Sequence, residues 1–288
     1  MTSGATLWLD AVKPLTRYGP VIAPDLPGAL FGHSPLHARS DVHAGPAARF
    51  LGAVSSTLGL GRIVVHGWSF GGLVALVFAD AEPGRVERLV LISPTLPGPL
   101  TRAEAWGWRT VGRAALLGGP TVARGVMRVL GPSIVRVKLR YARAGTGPAG
   151  RLDVAGGDLS RCSPELWSLI RGQLGELRSH PRRMDHAVTA FASVVRVLFV
   201  DRRPAEELVA RVAAPTLLLW GDRDPLIGRA VIDDLTGRRP DWRLQMFATV
   251  GHLLPLEVPA EYADAVGRWL AGHDGAPDAG AGASPREP

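Results

Sequence analysis

One pentapeptide of the chain, Gly67-Trp68-Ser69-Phe70-Gly71, has the residue types and spacing of a nucleophilic serine turn. It stands between a β-branched run and a helix-forming run. Small residues in such a turn let the chain fold back so tightly that the serine hydroxyl is exposed at the apex. A serine hydroxyl is a poor nucleophile until a base removes its proton. The pattern therefore predicts Ser69 as a nucleophile; the alternative is a tight turn that needs small residues for steric reasons alone.

A histidine and a carboxylate that could activate this serine follow later in the chain. Asp224 ends a Gly-Asp-Arg-Asp stretch, and His252 follows a Val-Gly pair. Each comes just past a strand-like run, and the carboxyl ends of parallel strands meet at one edge of a sheet. A serine nucleophile requires a histidine that a carboxylate orients. We predict a triad of Ser69, His252 and Asp224. The alternatives are an ordinary loop histidine and a solvated turn acid, with Asp222 as the nearest rival.

The runs that would position these residues alternate between strand and helix patterns. Continuous apolar runs of strand length are typical of parallel strands buried on both faces, and runs with 3.6-residue periodicity indicate helices. The alternation predicts an α/β fold with a doubly wound, mostly parallel sheet. The predicted strands are 21–23, 62–66, 88–93, 215–220 and 242–247, and the predicted helices are 6–16, 47–60, 70–79 and 259–270.

Composition limits the class of protein. The 288 residues are 46% apolar and 20% charged, which excludes disorder as a global description. A single cysteine, Cys162, excludes an internal disulfide framework and a cysteine-based metal cluster. The first ten residues lack the pattern of a signal peptide, so we expect a cytoplasmic location. Residues 63–79 have the apolarity of a short transmembrane helix, but His66 and several glycines interrupt the run and favour a strand, a turn and a helix.

A long segment, residues 96–214, interrupts the alternation between two core strands and is called the cap segment below. Its broken helical patterns predict a helical domain inserted over one edge of the sheet. The remaining core then consists of residues 1–95 and 215–271. Residues 272–288 are rich in Gly, Ala, Pro and Asp without apolar periodicity, and they are expected to form a disordered tail.

The cap segment is the basic part of a chain whose net charge is +7. It holds 19 of the 33 basic residues and 9 of the 26 acidic residues. Arg124 and Arg128, and then Arg136 and Arg140, are four residues apart and could present one basic helix face. Such a face could meet an acidic carrier protein, a phosphate-bearing thioester or an anionic lipid surface, although arginines on a solvated helix face are the ordinary alternative. No motif suggests a nucleic acid partner.

Taken together, the motifs resemble those of the α/β-hydrolase superfamily. The resemblance covers roughly residues 5–95 and 215–271. It implies Ser69 as nucleophile, His252 as base, Asp224 as acid and the backbone N–H of Phe70 as one oxyanion donor, together with a helical cap over the core. It implies neither a metal nor an organic cofactor. The stretches that carry it are 21–28 (VIAPDLPG), 66–72 (HGWSFGG), 88–93 (RLVLIS), 217–224 (LLLWGDRD) and 251–252 (GH).

The resemblance departs from the family pattern at the N-terminus. Family members have a strand that ends in a His-Gly loop, which supplies a second oxyanion donor. Residues 5–16 already resemble the helix after that loop, and neither the His-Gly pair nor a strand precedes them. We expect the complete protein to carry this strand and loop upstream of Met1. The alternative is a chain that begins here and has become a non-catalytic remnant.

The most specific function that the sequence supports is that of a serine hydrolase acting on an ester of a mostly apolar acyl compound. Trp68 and the basic cap segment are similar to features of carboxylesterases that demethylate a carrier-protein-bound acyl ester, so Trp68 is expected to contact the substrate. A carbon-carbon bond hydrolase and a cofactor-free haloperoxidase use the same triad and stay open. A binding protein that keeps the fold and meets an acidic partner through its cap is the alternative from another class. The substrate and the oligomeric state stay open as well.

Overall fold

Four parallel strands form the sheet of the part of the chain that the structure describes. The computed structural model describes residues 4–29, 32, 34, 39–113, 157–179 and 181–272. The strands pair in sequence order, each parallel to the next. All four coincide with runs predicted from the sequence, with ends shifted by a few residues. They are β1 (Ile63–Trp68), β2 (Val86–Ile92), β3 (Thr216–Gly221) and β4 (Arg243–Phe247).

Helices cover both faces of this sheet. Short 3₁₀ or π segments extend several of them, for example Ala5–Trp8 before the first helix and Arg196–Val200 after the sixth. The α-helices of the described residues are α1 (Leu9–Leu15), α2 (Ala44–Thr57), α3 (Phe70–Ala81), α4 (Arg102–Gly107), α5 (Pro164–Ser179), α6 (Pro181–Val195), α7 (Arg203–Arg211), α8 (Arg229–Arg238), α9 (Leu254–Glu257) and α10 (Pro259–Leu270).

Two apolar clusters, one on each face of the sheet, hold the layers together. Successive residues of β2 alternate between them: Leu89 and Leu91 pack with α2, α3, α7 and α8, whereas Val90 and Ile92 pack with α1, α5 and α10. All four side chains are fully buried. Because helices cover both faces at these four positions, each of them needs an apolar residue. The doubly wound α/β architecture predicted from the sequence is therefore confirmed.

The described parts of the cap segment are helical, and they contact one another and the core. Trp108 stacks on Phe199 with ring centroids 4.7 Å apart, which joins the two ends of the segment. Ala205, Leu208 and Val209 of α7 belong to the same apolar cluster as α3. The last helix of the cap segment thus packs directly on the core, and the domain division at residue 214 stays a prediction.

Two further expectations from the sequence concern the basic helix face and the tail, and the apolar run at residues 63–79. The four arginines of the predicted basic face, Arg124, Arg128, Arg136 and Arg140, lie outside the described residues, as does the predicted tail beyond Gly272. The apolar run 63–79 forms β1, a turn and most of α3. Among the helices that the structure describes, none has both the length and the apolar character that crossing a membrane would need.

The strand predicted at residues 21–23 is not formed, and this prediction is wrong. Val21–Ala23 have no strand partner among the described residues, and Ile22 is 49% exposed. A groove of about 560 Å³ is lined by these residues and by Val64 and His66 of β1. A strand exists only when a neighbouring strand takes up its backbone hydrogen bonds. Since β1 lies at the end of the sheet order and across this groove, residues 21–23 stay unpaired.

The open edge of β1 gives a prediction for hydrogen exchange. The N–H groups of Ile63 and Ser69 donate to the β2 side, at 2.9 Å each. Alternate residues of a parallel strand point to opposite neighbours, so Val65 and Gly67 also face β2, and the amide of Val64 faces the groove. We expect the Val64 amide to exchange at least about 100-fold faster than that of Val65 when NMR follows exchange residue by residue. Equal protection of the two amides would show that another segment pairs with this edge.

Candidate active site

The turn between β1 and α3 holds Ser69 in a backbone conformation that only a tight turn imposes. Ser69 has φ 55° and ψ −121°, outside the regions that L residues ordinarily occupy. Its N–H donates to the Ile92 carbonyl and its own carbonyl accepts from the Thr95 N–H, both at 2.9 Å. The end of β2 thus fixes the turn from the side. Strain of this kind persists only where the surroundings over-determine it, and it is common at catalytic residues.

Two glycines make this turn possible: Gly67, inside the pentapeptide, and Gly72, the residue that follows it. A Cβ on Gly67 would lie 2.5 Å from the Gly71 carbonyl oxygen and 2.7 Å from the Gly72 Cα. A Cβ on Gly72 would lie 2.6 Å from the Pro94 Cβ, whereas a Cβ on Gly71 would meet nothing within 4 Å. The steric requirement therefore falls on Gly67 and Gly72. At Gly67 the crowding comes from the first turn of α3, and at Gly72 it comes from Pro94, after β2.

His252 and Asp224 meet at the carboxyl ends of β4 and β3. His252 Nδ1 lies 2.8 Å from Asp224 Oδ2, and both side chains are almost completely buried. The other carboxylate oxygen, Oδ1, accepts from the N–H groups of Leu226 and Ile227 at 2.8 and 3.0 Å. A carboxylate bonded in this way holds the imidazole with Nδ1 protonated and Nε2 free to act as a base.

Asp222, the rival acid in the sequence, takes a different role in the structure. Its Oδ1 accepts from the Thr249 N–H at 2.7 Å on the exposed side of the loop. It therefore ties the β3 turn to the β4 turn without reaching the imidazole. The geometry separates the two acids, since Asp224 alone is bonded to His252.

Ser69 lies at the same edge of the sheet, but its hydroxyl bonds to a residue that the sequence did not single out. Ser69 Oγ is 3.3 Å from Thr95 Oγ1, and no hydrogen bond joins Ser69 to His252 among the described residues. Thr95 is buried and lies three residues beyond the end of β2. No sequence signal marked it, because its position beside Ser69 depends on the pairing of β1 with β2. In unliganded enzymes the bond between nucleophile and base is often long or poorly aligned.

The start of α3 provides a backbone donor beside Ser69. Phe70 is the first residue of the helix, and the first N–H groups of a helix have no intrahelical acceptor. The partial positive charge of the helix N-terminus also lies at this point. An anionic oxygen that forms next to Ser69 would find both. The Phe70 side chain itself is 1% exposed and packs in the core, so only its backbone faces this chemistry.

Trp68 is buried and contacts the loop that carries His252, residues 248–253, which is called the histidine loop below. Its Nε1–H donates to the His252 carbonyl oxygen at 2.8 Å, and its ring meets the Trp8 ring edge to face at a centroid distance of 6.2 Å. The side chain is 6% exposed. These contacts link the residue before Ser69 to the backbone of His252. The expected contact between Trp68 and substrate stays a prediction.

His66 sits beneath this site and gives a prediction for stability. Its Nδ1 is hydrogen bonded to the Tyr262 hydroxyl, and desolvation lowers the pKa of His66 from 6.5 to about 4. The unfolded chain therefore binds a proton at higher pH than the folded chain does. The contribution of neutral His66 to the free energy of unfolding is fully present above about pH 6.5 and is lost as the pH falls toward 4. The loss attributable to His66 reaches at most about 3 kcal/mol. Urea unfolding of wild type and His66→Gln between pH 7 and 4.5 should show a smaller pH dependence in the variant, whereas His43→Gln, which changes an exposed histidine, should match wild type.

Comparisons with known proteins add relatives to this geometry. The sequence model of the Alpha/beta hydrolase family matches residues 1–265. The 2-hydroxymuconate semialdehyde hydrolase of Pseudomonas sp. strain CF600 is 27% identical, over 95% of this chain and 85% of its own length. The pimeloyl-[acyl-carrier protein] methyl ester esterase of Nitrosomonas europaea is 26% identical, over 70% of this chain and 69% of its own length. A serine hydrolase structure from Cycloclasticus zankles superposes with a TM-score of 0.63 at 15% identity, covering 95% of this chain and 87% of that one.

Proposed function

We propose that this chain, which belongs to the alpha/beta hydrolase family, is a serine hydrolase that cleaves carboxylic esters through an acyl-enzyme. One observation carries the proposal. A buried imidazole is hydrogen bonded at 2.8 Å to a carboxylate, at the sheet edge where a strained serine begins a helix. Burying an imidazole and a carboxylate is costly unless the two groups are hydrogen bonded to each other.

In the proposed reaction, Ser69 Oγ attacks the ester carbonyl carbon and His252 Nε2 takes the hydroxyl proton. For this step the Ser69 hydroxyl exchanges its Thr95 contact for the imidazole. The Phe70 N–H donates a hydrogen bond to the oxyanion, and Asp224 stabilises the imidazolium by accepting a hydrogen bond from its Nδ1–H. His252 then gives the proton to the departing alkoxide, which leaves an acyl group on Ser69. A water molecule, deprotonated by His252, releases the carboxylic acid and restores the hydroxyl.

The proposed substrate class is an ester of a mostly apolar acyl group, and it includes acyl groups that are attached to a carrier protein. The esterase from Nitrosomonas europaea, whose name specifies an acyl-carrier protein, supports the carrier. The basic cap segment supports an acidic partner. Salt would weaken such an encounter, so a KM for a carrier-bound ester that rises with ionic strength, while the KM for a free ester does not, would support this partner. The cytoplasmic location stays a prediction.

The second candidate is hydrolysis of a carbon-carbon bond next to a carbonyl group. Relatives named 2-hydroxymuconate semialdehyde hydrolase and 2-hydroxy-6-oxononadienedioate hydrolase, each 27% identical over most of this chain, support it. The same serine, histidine and aspartate would serve, because both reactions pass through attack on a carbonyl carbon. Turnover of a 2-hydroxy-6-oxodienoate, measured as the loss of its ultraviolet absorbance, separates this candidate from the first.

The test of the proposed function is labelling with a fluorophosphonate probe, followed by a series of p-nitrophenyl esters with increasing acyl length. An activated serine reacts with the probe, and the ester series measures how much apolar acyl chain the pocket accepts. We expect labelling and turnover that fall together when Ser69 is replaced. A folded, monodisperse sample that neither labels nor turns over esters or dienoates would contradict the proposal and favour a non-catalytic binding protein.

A further inference from the structure

A buried carboxylate five residues beyond His252 takes no part in the proposed reaction, yet it is bonded to the histidine loop. Glu257 ends the short helix α9 and is 4% exposed. Its Oε1 accepts from the Gly251 N–H at 3.0 Å, and its Oε2 accepts from the Asp158 N–H at 3.0 Å. Burying a charged side chain is costly unless strong hydrogen bonds compensate it, and bonds to a carboxylate are among the strongest in proteins.

These two bonds join parts of the molecule that are far apart in the sequence. Gly251 directly precedes His252, and Asp158 lies in the cap segment just before α5. The approach is close, because a Cβ on Gly157 would lie 2.7 Å from Glu257 Oε1 and 2.8 Å from the Leu253 Cβ. The carboxylate therefore fills the contact between the cap segment and the loop that carries the base.

Among the described residues, several other contacts of the histidine loop are made with the core. Asp224 holds the imidazole, Trp68 holds the His252 carbonyl, and Gly221 packs so tightly against the Val250 and Gly251 carbonyls that a Cβ there would overlap them. The Gly251 N–H is buried, and Glu257 is its acceptor. Without that acceptor the N–H would be left unsatisfied, and the Gly251 peptide would have to turn to find another.

We propose that Glu257 is a positioning residue that sets the orientation of the Gly251 peptide, and so of the His252 imidazole, according to the position of the cap segment at Gly157 and Asp158. The proposal rests on the proposed function only in taking His252 as the base. A displacement of the cap segment at Gly157 and Asp158 is then transmitted through one carboxylate to the imidazole of His252.

Three variants separate this role from a merely structural one. Glu257→Gln keeps one oxygen acceptor but turns an amide N–H₂ toward the other backbone N–H, so that one bond is lost. Gly157→Ala crowds the carboxylate from the cap side and removes no hydrogen-bonding group. Glu261→Gln makes the same chemical change as the first variant at an exposed position on α10 and is the matched control.

The decisive measurement is the ¹⁵N NMR signature of the His252 ring in wild type and variants, with His252→Gln to assign the signals. We expect the His252 ring signals to shift in Glu257→Gln and in Gly157→Ala, and to stay unchanged in Glu261→Gln. In ester assays the first two variants should lower kcat about tenfold or more with KM within a factor of three. A role limited to stability would lower the melting temperature and leave the His252 signals of the folded protein where they are.

Unchanged His252 signals in both folded variants would overturn the proposal, whatever their stability. Failure of the proposed function looks different. In that case wild type itself would neither label with the fluorophosphonate probe nor turn over esters, while the ring signals would still report whether Glu257 positions the histidine.

Discussion

Ser69→Ala is expected to abolish ester hydrolysis, lowering kcat by about 10,000-fold to 1,000,000-fold with little change in KM. The loss is large because the proposed mechanism forms its covalent bond at Ser69 Oγ, which the variant lacks. Thr95 Oγ1 is 3.3 Å away but follows a different strand and is not at the start of α3. Fluorophosphonate labelling should disappear in the same variant. Labelling with saturating probe, read by intact-protein mass spectrometry, checks the expectation directly.

Ser93→Ala is the matched control for this experiment. Ser93 is also a buried serine with positive φ, at 41°, and it follows the neighbouring strand β2. Its Oγ has no hydrogen-bond partner in the part of the chain that the structure describes, so its removal should leave activity within about twofold. Labelling that survives in Ser69→Ala, or that vanishes equally in Ser93→Ala, would place the reactive group elsewhere.

Asp224→Asn is expected to lower kcat/KM by about 10,000-fold while leaving the fold intact. The asparagine can still accept the N–H groups of Leu226 and Ile227 through its oxygen. Its amide nitrogen then faces His252 Nδ1, where it donates and favours the tautomer with a proton on Nε2. That tautomer cannot accept the proton of Ser69. The loss therefore comes from a wrongly protonated base, and kcat/KM for the best ester measures it.

Asp222→Asn is the control, two residues away in the same turn. Asp222 bonds to the exposed Thr249 N–H, and an asparagine oxygen replaces it there. We expect activity within about threefold of wild type and a slightly lower melting temperature. The reverse result, a large loss for Asp222→Asn and a small one for Asp224→Asn, would transfer the role of acid to Asp222 and contradict the hydrogen-bond geometry.

The sequence alone determined the features that depend on local preference. The turn at Ser69 could be located because Gly67 has no room for a side chain and a β-branched run precedes it. β2 and β3 could be located because the part of a strand that is covered on both faces must be apolar at successive positions, so that its burial is visible as an unbroken run. The order of nucleophile, acid and base followed from the same runs, since each candidate comes at the carboxyl end of a strand.

Only the tertiary structure decided the features that depend on distant neighbours. Residues 21–23 have the composition of a strand but no strand to pair with across the groove beside β1. Gly72 is constrained by Pro94, from the segment after β2, and Gly71 is not. Asp224 and Asp222 are alike in sequence, and the position of His252 distinguishes them. Thr95 and Glu257 had no signal at all, because their roles depend on contacts across 26 residues to Ser69 and across 99 residues to Asp158.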